Sequence, residues 1–291
     1  MSTRTPPPAP FVVGVGRSGT TLLRLMLDAH PDLAIPTETH FLGALLSAEP
    51  GASPDALVAR ITGSETWPNM GMEAQALAQA VAAEDATTPA AVARAFYRLY
   101  AAQRGKARWG DKTPPYRGLV PVIAAALPEA LFVHIVRDGR DVALSYRGLW
   151  FGRGDDVEAQ ARFWVSEIER TRRLCEAADA VEIRYEDLVA DPARVLTALC
   201  ARLDLAFDPL MLDYHRRAPE RMAEFVRPFG VPPTQEVTIE RFLSIHALTA
   251  KEPDASRIGR WRTEMTRGEI QAYERIAGPL LADLGYETSA V

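Results

Sequence analysis

Residues 11–38, FVVGVGRSGTTLLRLMLDAHPDLAIPTE, constrain the fold of this chain more than any other stretch. Phe11, Val12, Val13 and Val15 have the β-branched and aromatic character of a strand, and Leu22, Leu23, Leu25, Met26 and Leu27 supply a helical apolar face. Between them Gly14, Gly16 and Gly19 permit a tight turn. A strand, glycine turn and helix in that order leave backbone N–H groups facing a concavity at a helix N-terminus, where the helix dipole favours an anion. The spacing of Gly14 and Gly19 matches the first part of the nucleotide-triphosphatase loop G-x-x-x-x-G-K-[ST], but Thr20 stands where that motif needs lysine. Arg17 is the cation of the loop instead. Its planar guanidinium, with the hydroxyls of Ser18, Thr20 and Thr21 beside it, suits an anion other than a magnesium-bound triphosphate.

The rest of the chain repeats the strand–helix alternation. Residues 131–136, LFVHIV, form a short continuous apolar run of the kind buried on both faces of a parallel sheet, and the apolar stretch Gly118 to Val136 reads as a helix followed by this strand. Arg137 follows at the strand's carboxyl end, Asp138-Gly139 turns the chain, and a helix over residues 141–149 carries Ser145. An amphipathic helix over 157–178, a strand over 181–185, a helix over 192–203 and a closing helix over 267–284 continue the pattern. The expected class is α/β, with a parallel sheet flanked by helices.

Other segments decorate this frame. Leu33-Ala34-Ile35 reads as a second strand ending at Pro36, which places Glu38 and His40 just beyond a strand end, in the crevice that the glycine loop also faces. Residues 41–108 read as a helical cap insertion, in which Trp67, Met70 and Met72 fit packing better than an acceptor pocket. Residues 109–115, WGDKTPP, read as a compact polar turn with Lys112 as its cation. Residues 148–156 form a glycine-punctuated loop, and proline-rich 216–250, with Pro232-Pro233 at its centre, reads as an irregular acceptor-side wall. Arg257, Arg260 and Arg262 surround Gly259 and Trp261, a cluster that fits either a nucleotide phosphate and base or a solvated basic turn.

Composition narrows the function classes. A net charge of −5 argues against binding nucleic acid through a broad basic surface. Cys175 and Cys200 are the only cysteines and lie far apart in sequence, so neither a zinc cluster nor a disulfide framework is expected. Residues 1–10 form a proline-rich leader without the apolar centre of a signal peptide, from which a cytoplasmic location is expected. Prolines and charges interrupt the apolar stretch over 118–136, so stable membrane insertion is not expected.

The motifs VGVGRSGTTLLRLMLDAHP, TETHF, GDKTP, VRDGRDVALSY and SRIGRW occur in this order. In order and spacing the chain resembles sulfotransferases that use 3′-phosphoadenosine 5′-phosphosulfate (PAPS, leaving 3′-phosphoadenosine 5′-phosphate, PAP), especially the branch of bacterial and tyrosylprotein enzymes. The resemblance implies one sulfotransferase domain over 11–291 on a P-loop-type sheet. It implies that Arg17, Ser18, Gly19, Thr20 and Thr21 hold the 5′-phosphosulfate and that Arg137 and Ser145 hold the 3′-phosphate. It places Ser256, Arg257 and Arg260 in the segment closing over that end. Glu38 takes the position of the catalytic base and Lys112 that of a lysine contacting the transferring group. His40, two residues on, is the rival base, because other relatives use histidine. Transfer is expected to be metal-independent, to a hydroxyl of a small-molecule acceptor. Two other readings stand beside this one: a small-molecule kinase, which Thr20 counts against, and a nucleotide-binding protein without catalysis. No motif indicates an oligomeric state.

Overall fold

The structure is a computed structural model that describes residues 6–152, 154–232 and 234–289. The first half of the proline-rich leader, Arg153 of the glycine-punctuated loop and Pro233 of the acceptor-side segment lie outside the described residues. Four strands form a parallel sheet in the order β4-β1-β5-β6: β1 (Ala9–Gly14), β4 (Asp111–Lys112), β5 (Ala130–Val136) and β6 (Ala180–Arg184). Two short strands, β2 (Leu33–Ala34) and β3 (Arg108–Trp109), pair parallel to each other in a separate ribbon. This is the α/β arrangement that the alternating pattern predicts.

The period-two geometry of β1 sorts its side chains between two cores. Phe11 and Val13 pack on one face with Phe41, Phe96, Tyr97 and Phe132, whereas Val12 packs on the other with Leu23, Met26, Val133 and Ile135. The second face is covered by α1 (Thr20–Asp28) and later by α9 (Tyr185–Ala190) and α10 (Pro192–Arg202). The first face is covered by the helices between β2 and β3: α2 (Leu42–Leu46), α3 (Pro54–Thr62), α4 (Ala74–Ala83) and α5 (Pro89–Ala102). Met70 and Met72 are buried in that core, and Trp67 lies 6.5 Å from Phe96, so all three pack. Helix α6 (Val120–Ala126) precedes β5. A third core joins α7 (Gly139–Tyr146), α8 (Val157–Cys175) and α14 (Arg267–Asp283), with α13 (Trp261–Glu264) contributing Trp261.

Three expectations change. The polar turn at 109–115 contains the edge strand of the main sheet: Asp111 and Lys112 pair with Phe11 and Val12. Gly110 makes this possible, because a Cβ there would lie 2.7 Å from the Pro10 carbonyl oxygen. The apolar run at 33–35 belongs to the side ribbon rather than the main sheet. The irregular segment 216–250 holds two short helices, α11 (Ala218–Met222) and α12 (Ile239–Ser244). Cys175 and Cys200 are free thiols, and His134 is buried in β5 against Glu182 of β6 at 3.1 Å. No helix among the described residues is long and apolar enough to cross a membrane.

Candidate active site

Because all four main strands run parallel, their carboxyl ends meet one edge, and a cavity of about 410 Å³ opens there. The glycine turn forms its floor. Gly19 sits at φ 95 as the N-cap of α1 and supplies no side-chain cap, so the first amides of the helix have no side-chain partner. A Cβ at Gly19 would approach Tyr185 to 2.4 Å. Gly19→Ala is therefore expected to cost about 1–3 kcal/mol of stability, measured by chemical denaturation.

Arg17 also holds a left-handed backbone, φ 70. Its guanidinium donates to Ser145 Oγ at 3.0 Å and to the Ile245 carbonyl at 3.3 Å. Arg137 donates to the Arg17 carbonyl at 3.1 Å and to the Arg257 carbonyl at 2.6 Å, and its guanidinium lies 4.4 Å from the Tyr185 ring centre. Arg17, Arg137, Ser145 and Arg257 all line the cavity. Burial, then the neighbouring Arg137 and Arg257, push the Arg17 pKa down against an opposing pull from Tyr146. A cluster of three guanidiniums is a site that an anion stabilises. Arg137 Nε is buried without a partner among the described residues, an unfilled donor on this cationic side. Thr20 and Thr21 line the same floor, while Ser18 lies beneath it, fully buried with Oγ unpartnered among the described residues.

Glu38 and His40 face the cavity from the loop after β2. The loop bends sharply: His40 has φ 53, which lets both side chains turn the same way. Glu38 Oε2 lies 3.0 Å from His40 Nε2, and Lys112 Nζ donates to Glu38 Oε1 at 2.7 Å. Burial pushes the Glu38 carboxyl up, but the Lys112 charge and the contact with His40 outweigh it and hold it at about 2. The Lys112 ammonium is also pushed down, because its complete burial costs more than Glu38 returns. The pair is therefore a weaker source of stability than the carboxylate alone implies.

Thr39 fixes this loop from behind. Its amide donates to Thr113 Oγ1 at 2.9 Å and its hydroxyl to Asp111 Oδ2 at 2.7 Å; Tyr116 Oη lies 2.8 Å from that hydroxyl. Burial, against hydrogen bonds from Thr39, Tyr97 and Thr113, raises the Asp111 carboxyl to about 6. Thr66 donates to the Thr39 carbonyl at 2.6 Å. The GDKTP and TETHF motifs thus interlock through Thr39.

The structure separates some of the sequence-selected residues. Lys112 lies behind Glu38 and does not line the cavity. Ser256 is exposed on a 3₁₀ turn, and Arg260 pairs with Glu264 at 2.5 Å, so neither reaches the lining. Trp261 is buried with Arg140 against its ring at 3.5 Å. The far wall is aromatic: Phe229 and Phe242 from the 216–250 segment, and Trp150 and Phe151 from the glycine-punctuated loop. His246 lies on that wall and carries no sequence signal. Only its position after Ile245, whose carbonyl meets Arg17, brings it to the site.

The parallel sheet, uncapped helix α1 and arginine cluster together place cationic groups at the carboxyl edge of an α/β fold. Residues 8–209 match the model of the sulfotransferase family, and the chain belongs to that family. It is a sulfotransferase-class enzyme, and the sulfate donor of the class is PAPS. Protein-tyrosine sulfotransferase 1 of Danio rerio is 25% identical over 97% of this chain and 73% of its own. Nodulation protein NoeE of Sinorhizobium fredii is 25% identical over 96% of this chain and 66% of its own. The solved sulfotransferase domain from the curacin biosynthetic pathway shares the fold, with a TM-score of 0.61, 20% identity and coverage of 98% and 100% of the two chains.

Proposed function

We propose that the protein transfers a sulfuryl group from PAPS to a hydroxyl of a small-molecule acceptor, with Glu38 receiving the hydroxyl proton. One observation carries the reading: a carboxylate held ionised by Lys112 faces the same cavity as the Arg17, Arg137 and Arg257 cluster. The donor residues fit an anionic nucleotide, because three cationic side chains line one end and Arg137 Nε has no partner among the described residues. Arg17 and the first amides of α1, with Thr20 and Thr21, would hold the phosphosulfate end, and Arg137, Ser145 and Arg257 the 3′-phosphate. PAPS supplies the sulfuryl group and leaves as PAP. Lys112 keeps Glu38 ionised and oriented, and Arg17 stabilises negative charge gathering beside it. His40 braces the second carboxylate oxygen.

Arg137→Ala is expected to weaken PAP binding about 10- to 100-fold, the loss of a charge-assisted contact of roughly 1.5–3 kcal/mol, read by calorimetry. The acceptor reading rests on the aromatic wall of Trp150, Phe151, Phe229 and Phe242, which suits a compact hydroxylated ligand. A tyrosine side chain of a protein is the second reading, because the Danio rerio relative is named a protein-tyrosine sulfotransferase. A donor-dependent mass-spectrometric screen separates the two. It should show the mass gain of one SO3 on hydroxylated metabolites or simple phenols; a gain on tyrosine peptides alone would move the acceptor to protein.

A further inference from the structure

Glu38, His40 and His246 lie on the cavity lining as groups able to handle a proton, beside Glu252, Asp254 and three tyrosines. The first two hold each other at 3.0 Å, and the second carboxylate oxygen is bound by Lys112. His246 is arranged differently. Its ring lies parallel to Phe225, with centroids 5.7 Å apart and planes 8° apart, and meets Phe242 at 5.9 Å and 64°. These contacts fix the ring plane and leave both nitrogens without a hydrogen-bond partner among the described residues. The backbone is fixed as well: the His246 amide donates to the Leu243 carbonyl at 2.9 Å, and Thr249 Oγ1 donates to the His246 carbonyl at 2.6 Å. One residue earlier, the Ile245 carbonyl accepts from Arg17.

We propose that His246 is an acceptor-contacting residue, whose neutral imidazole N–H donates to the acceptor oxygen while that hydroxyl's proton goes to Glu38. The inference rests on the transfer reading above and adds a residue to it. Neutrality follows from the surroundings. Burial, Lys112, Arg17 and Arg24 all disfavour the imidazolium and Glu38 alone opposes them, which holds the ring at about 3. A neutral imidazole offers one donor and one acceptor, whereas an imidazolium here would repel the cations that serve the donor. A ring retained purely for packing would need neither an open polar edge nor a cavity-facing position, and phenylalanine would replace it.

The test is His246→Phe, which keeps the stacking, beside His246→Asn, which restores a side-chain amide donor. With 2-naphthol as the acceptor probe, His246→Phe should lose about 10- to 100-fold in kcat/KM, the scale of one unmade polar contact, while PAP affinity by calorimetry stays unchanged. His246→Asn should recover part of the loss. In parallel, histidine-selective 15N NMR should show the His246 nitrogens shifting when 2-naphthol joins PAP on the wild-type protein. Wild-type turnover in His246→Phe, or a His246 signal indifferent to PAP and 2-naphthol, overturns the proposal whatever the rate on this probe. If the wild type gives no donor-dependent product from any acceptor, the transfer reading fails instead, and the NMR arm still decides whether His246 meets a bound phenol.

Discussion

Glu38→Gln is expected to lower kcat by about 10²- to 10⁴-fold, the contribution of a positioned general base, with PAP affinity little changed. The amide keeps the size of the carboxylate and can still meet Lys112 and His40, so the loss reports basicity rather than shape. His40→Ala should cost far less, about tenfold, because His40 braces one carboxylate oxygen while Lys112 holds the other. Near-normal turnover of Glu38→Gln beside a collapse of His40→Ala would transfer the proton to the histidine. The low carboxyl pKa of about 2 belongs to the free protein. An anion held by Arg17 gives Glu38 a like-charged neighbour, which raises its pKa toward the working range. The acidic limb of kcat should therefore lie above that of the free enzyme.

Lys112→Met is expected to be the most damaging single change to stability and activity together. Removing one partner of a buried ion pair costs about 3–5 kcal/mol, since the other charge stays desolvated. Here Lys112 is fully buried and the Glu38 side chain is 16% exposed, so some of that cost is relieved by water. The sign on pH is fixed. With Lys112 present the folded carboxyl pKa is depressed, so its stabilisation is complete above the unfolded value near 4.5 and disappears as pH falls toward about 2. Without Lys112, burial is opposed only by His40, the folded pKa rises, and both the stability curve and the acidic limb of kcat should move to higher pH. Guanidinium denaturation against pH reads the first shift and steady-state kinetics the second. The double variant Glu38→Gln, Lys112→Met should be more stable than Lys112→Met alone, because it buries no unpaired carboxylate. A pH profile unmoved by Lys112→Met would mean that the lysine does not set the state of Glu38.

The main sheet was legible where its strands are apolar. Runs such as 131–136 carry hydrophobicity on consecutive residues, and the strand–glycine–helix sequence at 11–28 allows few other local structures. The edge strand at Asp111-Lys112 was illegible for the opposite reason. Its side chains are polar because they serve the site, and they tolerate burial through partners distant in sequence, Glu38 for Lys112 and Thr39 with Tyr97 for Asp111. Local pattern carries no trace of such distant compensation. The same holds for His246, which reaches the cavity through a carbonyl–arginine contact spanning 228 residues. Arg17, Glu38 and Arg137 were found because they stand just beyond strands, where a parallel sheet collects its loops. Ser256 and Arg260 were selected by their place in the SRIGRW motif, but Ser256 is exposed on a 3₁₀ turn and Arg260 pairs with Glu264.

The two sides of the cavity are held by different kinds of force. Around Thr39 and Arg17 the floor is fixed by directional hydrogen bonds with few tolerable alternatives. The wall at Phe229, Phe242 and Trp150 is held largely by ring against ring, with centroids 5.0 Å apart for Phe229–Phe242 and 6.1 Å for Trp150–Phe242, and such contacts accept many shapes at similar energy. Substitutions in the wall can accumulate without disturbing the groups that handle charge. Inherited change and laboratory selection should both find new acceptors by rewriting Trp150, Phe229 and Phe242 while His246 and the floor keep their sequence.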